Sequence, residues 1–398
     1  MSTYNRVVAA DSSASLAPTV RERLATDLSG TFAVQHGGRV TVMGDSISGS
    51  GIGTNWFEIM CQTSGGGVFS VGNKATPGGH TETMLARFDA DINPLSPDVV
   101  FIMAGTNNLN DVPYVPATYI DNVRQMVVKT RNLHAIPVVL SIPPNTANRA
   151  RVASFNRGLA NMCAAHNVIY VDIYSPLVDA STGTYISGYS SDGVHPNIGA
   201  SAIIASTVLA HIDHLLHMRS PWLAAENADS ANLLTNPLFI TDSNADGTAN
   251  NVAILYPNAA YTRTIVATTA PAKGNIQRNT MADSTTYQRL TNTTTTGFSV
   301  GDLIHGSVRL TASGLSGTDP RWTLYYIRDT GGPSNTAAVV FESGLAGDFL
   351  IEFEFTVPVD TTVLGLAWQA SSKSGTSSMV VDASQLGLYN LTAAGSLT

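Results

Sequence analysis

Between residues 38 and 218 apolar and polar positions alternate in two different periods. Short apolar runs, GRVTVMGD, GVFSVGN, PDVVFIMAG, IPVVLSIPP and VIYVDIY, are each followed by a longer stretch with apolar residues three and four apart. The run PDVVFIMAG is continuously apolar, as a strand covered on both faces must be. The intervening stretches, among them TETMLARFDADI, ATYIDNVRQMVVKTRNLHA and RARVASFNRGLANMCAAH, carry the helical period. Five strands alternating with helices predict right-handed crossovers and a parallel sheet with helices on both sides. Loops leaving the carboxyl ends of such strands are where ligands bind.

The period changes after Met218. RSPWLAAENADSAN reads as a linker, and beyond it Thr, Ser, Asn and Gly dominate. Runs such as LIHGSVRLTA, RWTLYYIRD, FLIEFEFTV and TVLGLAWQA alternate with period two and are separated by turn residues. That pattern predicts an antiparallel β-sandwich. The expected divisions are an N-terminal arm over 1–30 with one short helix, an α/β domain over 31–219, a linker over 220–231 and the sandwich over 232–398.

Composition narrows the function. The 398 residues carry a formal charge of −8, with 13% charged residues. A general nucleic-acid surface needs clustered Lys and Arg, and is not expected. No apolar run approaches the ~20 residues that span a bilayer. The first residues lack a basic segment followed by an apolar one, so no signal peptide is read there. The two cysteines, Cys61 and Cys163, are expected as buried free thiols rather than a bridge or a zinc site.

Four polar, glycine-bearing turns fall at the carboxyl edge of the predicted sheet. They are Gly44-Asp45-Ser46 after the first strand, Gly78-Gly79-His80-Thr81 after the second, Gly105-Thr106-Asn107-Asn108 after the third, and Asp192-Gly193-Val194-His195 after the fifth. A serine at its ordinary pKa is a poor nucleophile and needs a base. His195 can be that base, and Asp192, three residues earlier, can orient its ring. The Asn107 amide and the N–H groups of Ser46 and Gly79 suit an oxyanion hole. His80 and Asn108 lie beside these donors and are candidates for substrate contact.

These blocks resemble those of the SGNH (GDSL) hydrolases over roughly residues 38–217. The resemblance implies a flavodoxin-like three-layer α/β/α fold, with Ser46 as nucleophile, Gly79 and Asn107 in the oxyanion hole, and Asp192 and His195 as acid and base. It departs from the family at Asn108, where an aspartate is usual. In the second block Gly78 competes with Gly79. The one G-x-S-x-G string, Gly297-Phe298-Ser299-Val300-Gly301, falls in the β-patterned half and not at a strand-to-helix turn, so the α/β-hydrolase form of the same triad is not expected.

Other features carry less. Asp242-Ser243-Asn244-Ala245-Asp246-Gly247 begins like a calcium loop, but Ala253 stands where the last acid belongs, so an Asp-Gly turn is expected. His211, His214 and His217 make a polar stripe. Trp322 and Trp368 are core residues or, failing that, sugar platforms. The ends of the sandwich, NLLTNPLFITDSNADGT and VVDASQLGLYNL, resemble carbohydrate-binding jelly-roll modules, and the N-terminal segment resembles leaders of phage tail-associated proteins. Together these imply an extracellular or virion-associated serine esterase. It would remove acyl groups, foremost O-acetyl, from a polysaccharide, with no cofactor or metal and no membrane insertion. A homo-oligomer and virion tail partners are open, and so are a lipid acyl-ester hydrolase and a non-catalytic glycan-binding adhesin.

Overall fold

The structure, a computed structural model, describes residues 38–49, 55–212, 215, 222–269, 272–329 and 336–394. The expected N-terminal arm, His214 and His217 lie outside these residues. The first unit alternates as expected: β1 (Gly38–Gly44), α1 (Trp56–Thr63), β2 (Val68–Asn73), α2 (Thr81–Ile92), β3 (Val99–Met103), α3 (Pro116–Asn132), β4 (Ile136–Leu140), α4 (Arg149–Ala165) and β5 (Ile169–Val171). A small hairpin, β6 (Val178–Asp179) and β7 (Thr184–Tyr185), precedes α5 (Ile198–Ile212). The hairpin was not expected, since two-residue strands leave no period in a sequence.

The five strands pair in parallel in the order β5-β4-β3-β1-β2. Side chains alternate across them. Val40, Val42, Phe101 and Leu140 join Trp56, Phe57, Ile204 and Val208 from α1 and α5. Met43, Val100, Ile102 and Val139 join Met84, Phe88, Val123 and Phe155 from α2, α3 and α4. Both faces are therefore buried, which explains the unbroken apolar runs. The α1 helix starts where the Asn55 side chain accepts the Glu58 N–H at 3.1 Å, a cap that satisfies one of the free first-turn donors. Cys61 and Cys163 are buried and unbridged.

The C-terminal unit contains β8 (Val252–Leu255), β9 (Tyr261–Ala267), β10 (Asn275–Ser284), β11 (Tyr287–Thr294), β12 (Leu303–Gly317), β13 (Pro320–Asp329), β14 (Thr336–Ser343), β15 (Gly347–Thr356), β16 (Val363–Ser372) and β17 (Ser377–Asn390). Five strands form one sheet in the order β14-β13-β16-β11-β8. Trp322, Trp368, Leu290, Leu324 and Leu366 lie in the core of this unit. Both tryptophans are fully buried, so neither is a sugar platform. The Asp242–Gly247 segment is a turn, with the Gly247 N–H bonded to Asp242 and Gly247 at φ +80°.

One expectation is corrected. The other sandwich sheet is not separate but continues the parallel sheet, in the order β5-β4-β3-β1-β2-β15-β12-β17-β10-β9. Strand β15 runs parallel to β2, with Phe353 opposite Ser70. Arg39 of β1 forms an ion pair with Glu354 of β15. His305 of β12 is buried between Glu352, 3.1 Å away, and Glu354, 3.6 Å away. Leu345, in the turn between β14 and β15, packs against the cores of both units. Nor does the expected linker run free. Its Trp222 N–H donates to Glu352, and the Ala224 carbonyl accepts from Gln385.

Candidate active site

Strand β1 ends on Gly44 because nothing larger fits: a Cβ there would stand 2.9 Å from Ser48 Oγ and 3.2 Å from the Met103 carbonyl. The chain then turns sharply. The Ser48 N–H returns to the Asp45 carbonyl and the Gly49 N–H to that of Ser46. Asp45 Oδ1 accepts the Ile47 N–H at 3.0 Å, and Trp56 Nε1 donates to Ser48 Oγ at 3.0 Å. Ser46, half-buried, is presented at the top of this braced turn. Its N–H makes no hydrogen bond among the described residues.

Asp45 is wholly buried, and burial pushes its carboxyl up to about 6 against the opposing pull of the Ile47 N–H, Thr106 and the charge of His195.

The base arrives from the loop between β7 and α5. Asp192 Oδ1 accepts the N–H groups of Val194 and His195 at 2.9 and 2.8 Å. Its other oxygen meets His195 Nδ1 at 2.6 Å. Burial raises the Asp192 carboxyl, but these bonds from His195 and Val194 together outweigh it and hold the group well below the usual range. His195 Nε2 lies 2.9 Å from Ser46 Oγ. With Nδ1–H given to the carboxylate, Nε2 is left as the acceptor facing the hydroxyl.

Three further contacts fix this loop, and the sequence did not disclose them. The Tyr185 hydroxyl donates to the Val194 carbonyl at 3.0 Å. The Thr146 N–H donates to the Gly193 carbonyl at 2.9 Å. Ser190 bridges Pro196 across the loop. Tyr185 belongs to the unexpected hairpin, so no motif could have marked it.

Asn107 Nδ2 donates to the Gly79 carbonyl at 2.9 Å, leaving one amide N–H for another acceptor. The glycine donor is different from expectation. The Gly79 N–H points to the Thr76 carbonyl at 3.0 Å, so it is engaged in a turn rather than free for an oxyanion. Gly78, at φ +73°, supplies the left-handed residue of that turn. His80 caps α2 at the rim, with Nδ1 3.1 Å from the Gly78 carbonyl and Nε2 3.3 Å from Asp111.

Asn108 is a correction. It is fully buried, accepts the Thr81 N–H, and donates to Glu82 and Asp111. An amide can donate to two carboxylates where an aspartate would repel them. Asn108 therefore braces the second and third blocks and does not reach a substrate.

The GDSL-like Lipase/Acylhydrolase family model matches residues 42–199. That segment contains Ser46, Asn107, Asp192 and His195. Among solved structures, the chain is similar to a GDSL-like lipase from Bacteroides thetaiotaomicron at 21% identity and TM-score 0.40, over 50% of this chain and 99% of that one. It is also similar to Axe2, an acetylxylan esterase from Geobacillus stearothermophilus, at 21% identity and TM-score 0.40, over 46% and 100%. A lipase/acylhydrolase from Enterococcus faecalis stands at 20% identity and TM-score 0.40, over 46% and 100%. No curated protein matches the chain.

Proposed function

We propose that the protein is a serine ester hydrolase that removes acyl groups, acetyl foremost, from a polysaccharide. The observation that carries the chemistry is the unbroken chain from Ser46 Oγ through His195 to Asp192. Ser46 Oγ attacks the acyl carbon while His195 Nε2 takes its proton. The intermediate oxyanion is met by the Ser46 N–H and the spare Asn107 N–H. Collapse expels the sugar oxygen, which leaves as a hydroxyl with the proton from His195. Water then adds to the acyl-enzyme with His195 again as base, and the acid departs. Asp192 stabilises the imidazolium at each stage.

The rim supports a sugar over a lipid chain. His80, Asn110, Asp111 and Asn148 gather there, Asn148 bonding Asn110 at 2.8 Å. Val112 and Val115, 90% and 41% exposed, are the apolar residues of that loop. Ser46→Ala should abolish hydrolysis of nitrophenyl acetate and acetate release from acetylated xylan, leaving only the residual of about 10³ to 10⁴ over water that an oxyanion hole supplies. Retention of more than about a tenth of the activity would remove Ser46 as nucleophile.

A further inference from the structure

Away from Ser46, the sheet β14-β13-β16-β11-β8 turns one face to its core and the other outward. Leu290, Trp322, Leu324 and Trp368 point in. Their sequence neighbours Tyr287, Arg289, Thr323, Tyr325 and Gln369 therefore point out. In register, Arg289 stands opposite Gln369, and Gln369 opposite Thr323.

Aromatic rings cluster on this outward face. Tyr256, just past β8, is 53% exposed and Tyr287 41% exposed. Their rings meet edge to face at 4.8 Å. Tyr256 holds φ at +58°, a left-handed conformation that costs a bulky L-residue about 1–2 kcal/mol and that Gly or Asn would adopt more readily. A strained tyrosine with its ring in solvent does nothing for the core.

Arg289 sits among these rings, its guanidinium carbon 3.9 Å from the Tyr325 centroid and 6.0 Å from that of Tyr256. Its Nε donates to Gln369 Oε1 at 3.2 Å. Among the described residues no carboxylate pairs with it. A planar fork stacked on a ring, with its charge unanswered, is set up to receive a carboxylate bidentately. Thr291, Thr323 and Gln369 on the same side are buried, so what this face offers a ligand is the tyrosine rings and the Arg289 guanidinium. Aromatic rings suit the C–H faces of a pyranose, and the tyrosine hydroxyls suit its edges.

We propose that this face binds a polysaccharide bearing carboxylates, Tyr256 and Tyr287 stacking on sugar rings and Arg289 pairing with the acid. The proposal rests on the polysaccharide reading above in one respect, that the bound chain also carries the ester. Its test does not need ester hydrolysis. Full-length protein with Ser46→Ala is run in native gels containing sodium polygalacturonate or alginate, with β-glucan as the neutral polymer and polyglutamate as the acidic peptide. Retardation by an acidic polysaccharide, weaker in β-glucan and absent in polyglutamate, is expected. Arg289→Ala should weaken it by about tenfold or more, the loss expected for a hydrogen bond to a charged group, and Tyr287→Ala should weaken it severalfold through the lost stacking. Arg289→Lys, which keeps charge but loses the fork, should fall between the parent and Arg289→Ala. Unchanged thermal unfolding of the variants shows that the sheet is intact.

Retardation by neither acidic polysaccharide, by β-glucan equally, by polyglutamate as strongly, or equally in the variants overturns the proposal. Concentration-dependent dimerisation lost in Tyr287→Ala would also overturn it and make the face a contact between copies. Failure of the parent protein, with Ser46 in place, to hydrolyse esters while binding is intact would instead overturn the Ser46 reading alone.

Discussion

At the scale of single residues, the site is built by hydrogen bonds that hold small groups in place, and Asp45 is its one costly member. Its carboxyl is buried beside Ser46 and its pKa is raised from 3.8 to about 6. A raised acid gives its full stability below the unfolded value and loses it as pH rises through the folded one. The window is therefore pH 3.8 to about 6. A shift of this size corresponds to a cost on the order of 3 kcal/mol for the charged form above it. Asp45→Asn keeps the acceptor for the Ile47 N–H and carries no charge. The variant should gain stability over the parent as pH goes from about 4 to about 8, by up to that amount. Urea unfolding of both proteins at the two pH values measures it. A constant difference would mean that the folded site accommodates the carboxylate without penalty. The sequence showed Asp45 beside the nucleophile but not its cost, because burial depends on what covers the turn: α1, through Trp56 on Ser48, and the β3 loop, through Thr106.

At the scale of elements, the first three motif blocks were legible because each follows an apolar run whose end locates it in space, while the Asp192–His195 block lies beyond a hairpin that leaves no such run. Ser46, His195 and Asp192 meet in one chain of hydrogen bonds. What was not legible were their supports. Asn108 looked like a rim residue and is a buried brace. Gly79 looked like a free donor and is tied to Thr76. The acid–base loop owes its shape to Tyr185, in the hairpin just before it, and to Thr146, far earlier in the chain. Gly193 tests that support. It holds φ +76°, and a Cβ there would lie 2.5 Å from Thr146 Oγ1. Gly193→Ala must therefore push the loop away from the β4 end, moving His195 relative to Ser46. A displacement near 1 Å lowers turnover by roughly 10²-fold, with KM little changed. Adding Thr146→Ala, which removes that oxygen, should restore part of the loss. Steady-state kinetics on nitrophenyl acetate gives both numbers. Full activity in Gly193→Ala would show that the loop is not held from this side.

At the scale of the whole molecule, the change of period after Met218 implied a division that the fold does not make. Two-residue and edge-strand contacts between units leave no mark in hydrophobic patterning, so the joining of β2 to β15 could not be read. A cut near Arg219 looks harmless in the sequence, with the α/β pattern complete before it. In the structure it would strip β2 of its neighbour and leave an unpaired edge, a site for aggregation. It would deprive Arg39 of Glu354, leaving a nearly buried guanidinium without its ion pair, a loss that costs about 3–5 kcal/mol where the pair is buried. It would also uncover the apolar surface that Leu345 closes beside Ile198. A chain ending at Arg219 should therefore unfold at lower temperature or aggregate, and should lose hydrolysis of nitrophenyl acetate together with that of acetylated xylan. Equal loss on both substrates, tracking the loss of folded protein in a thermal scan, is the expected result. If the shortened chain kept its unfolding temperature and its small-ester turnover, the junction would be a contact of convenience. The sandwich would then serve only to hold polymer near Ser46, through effective concentration.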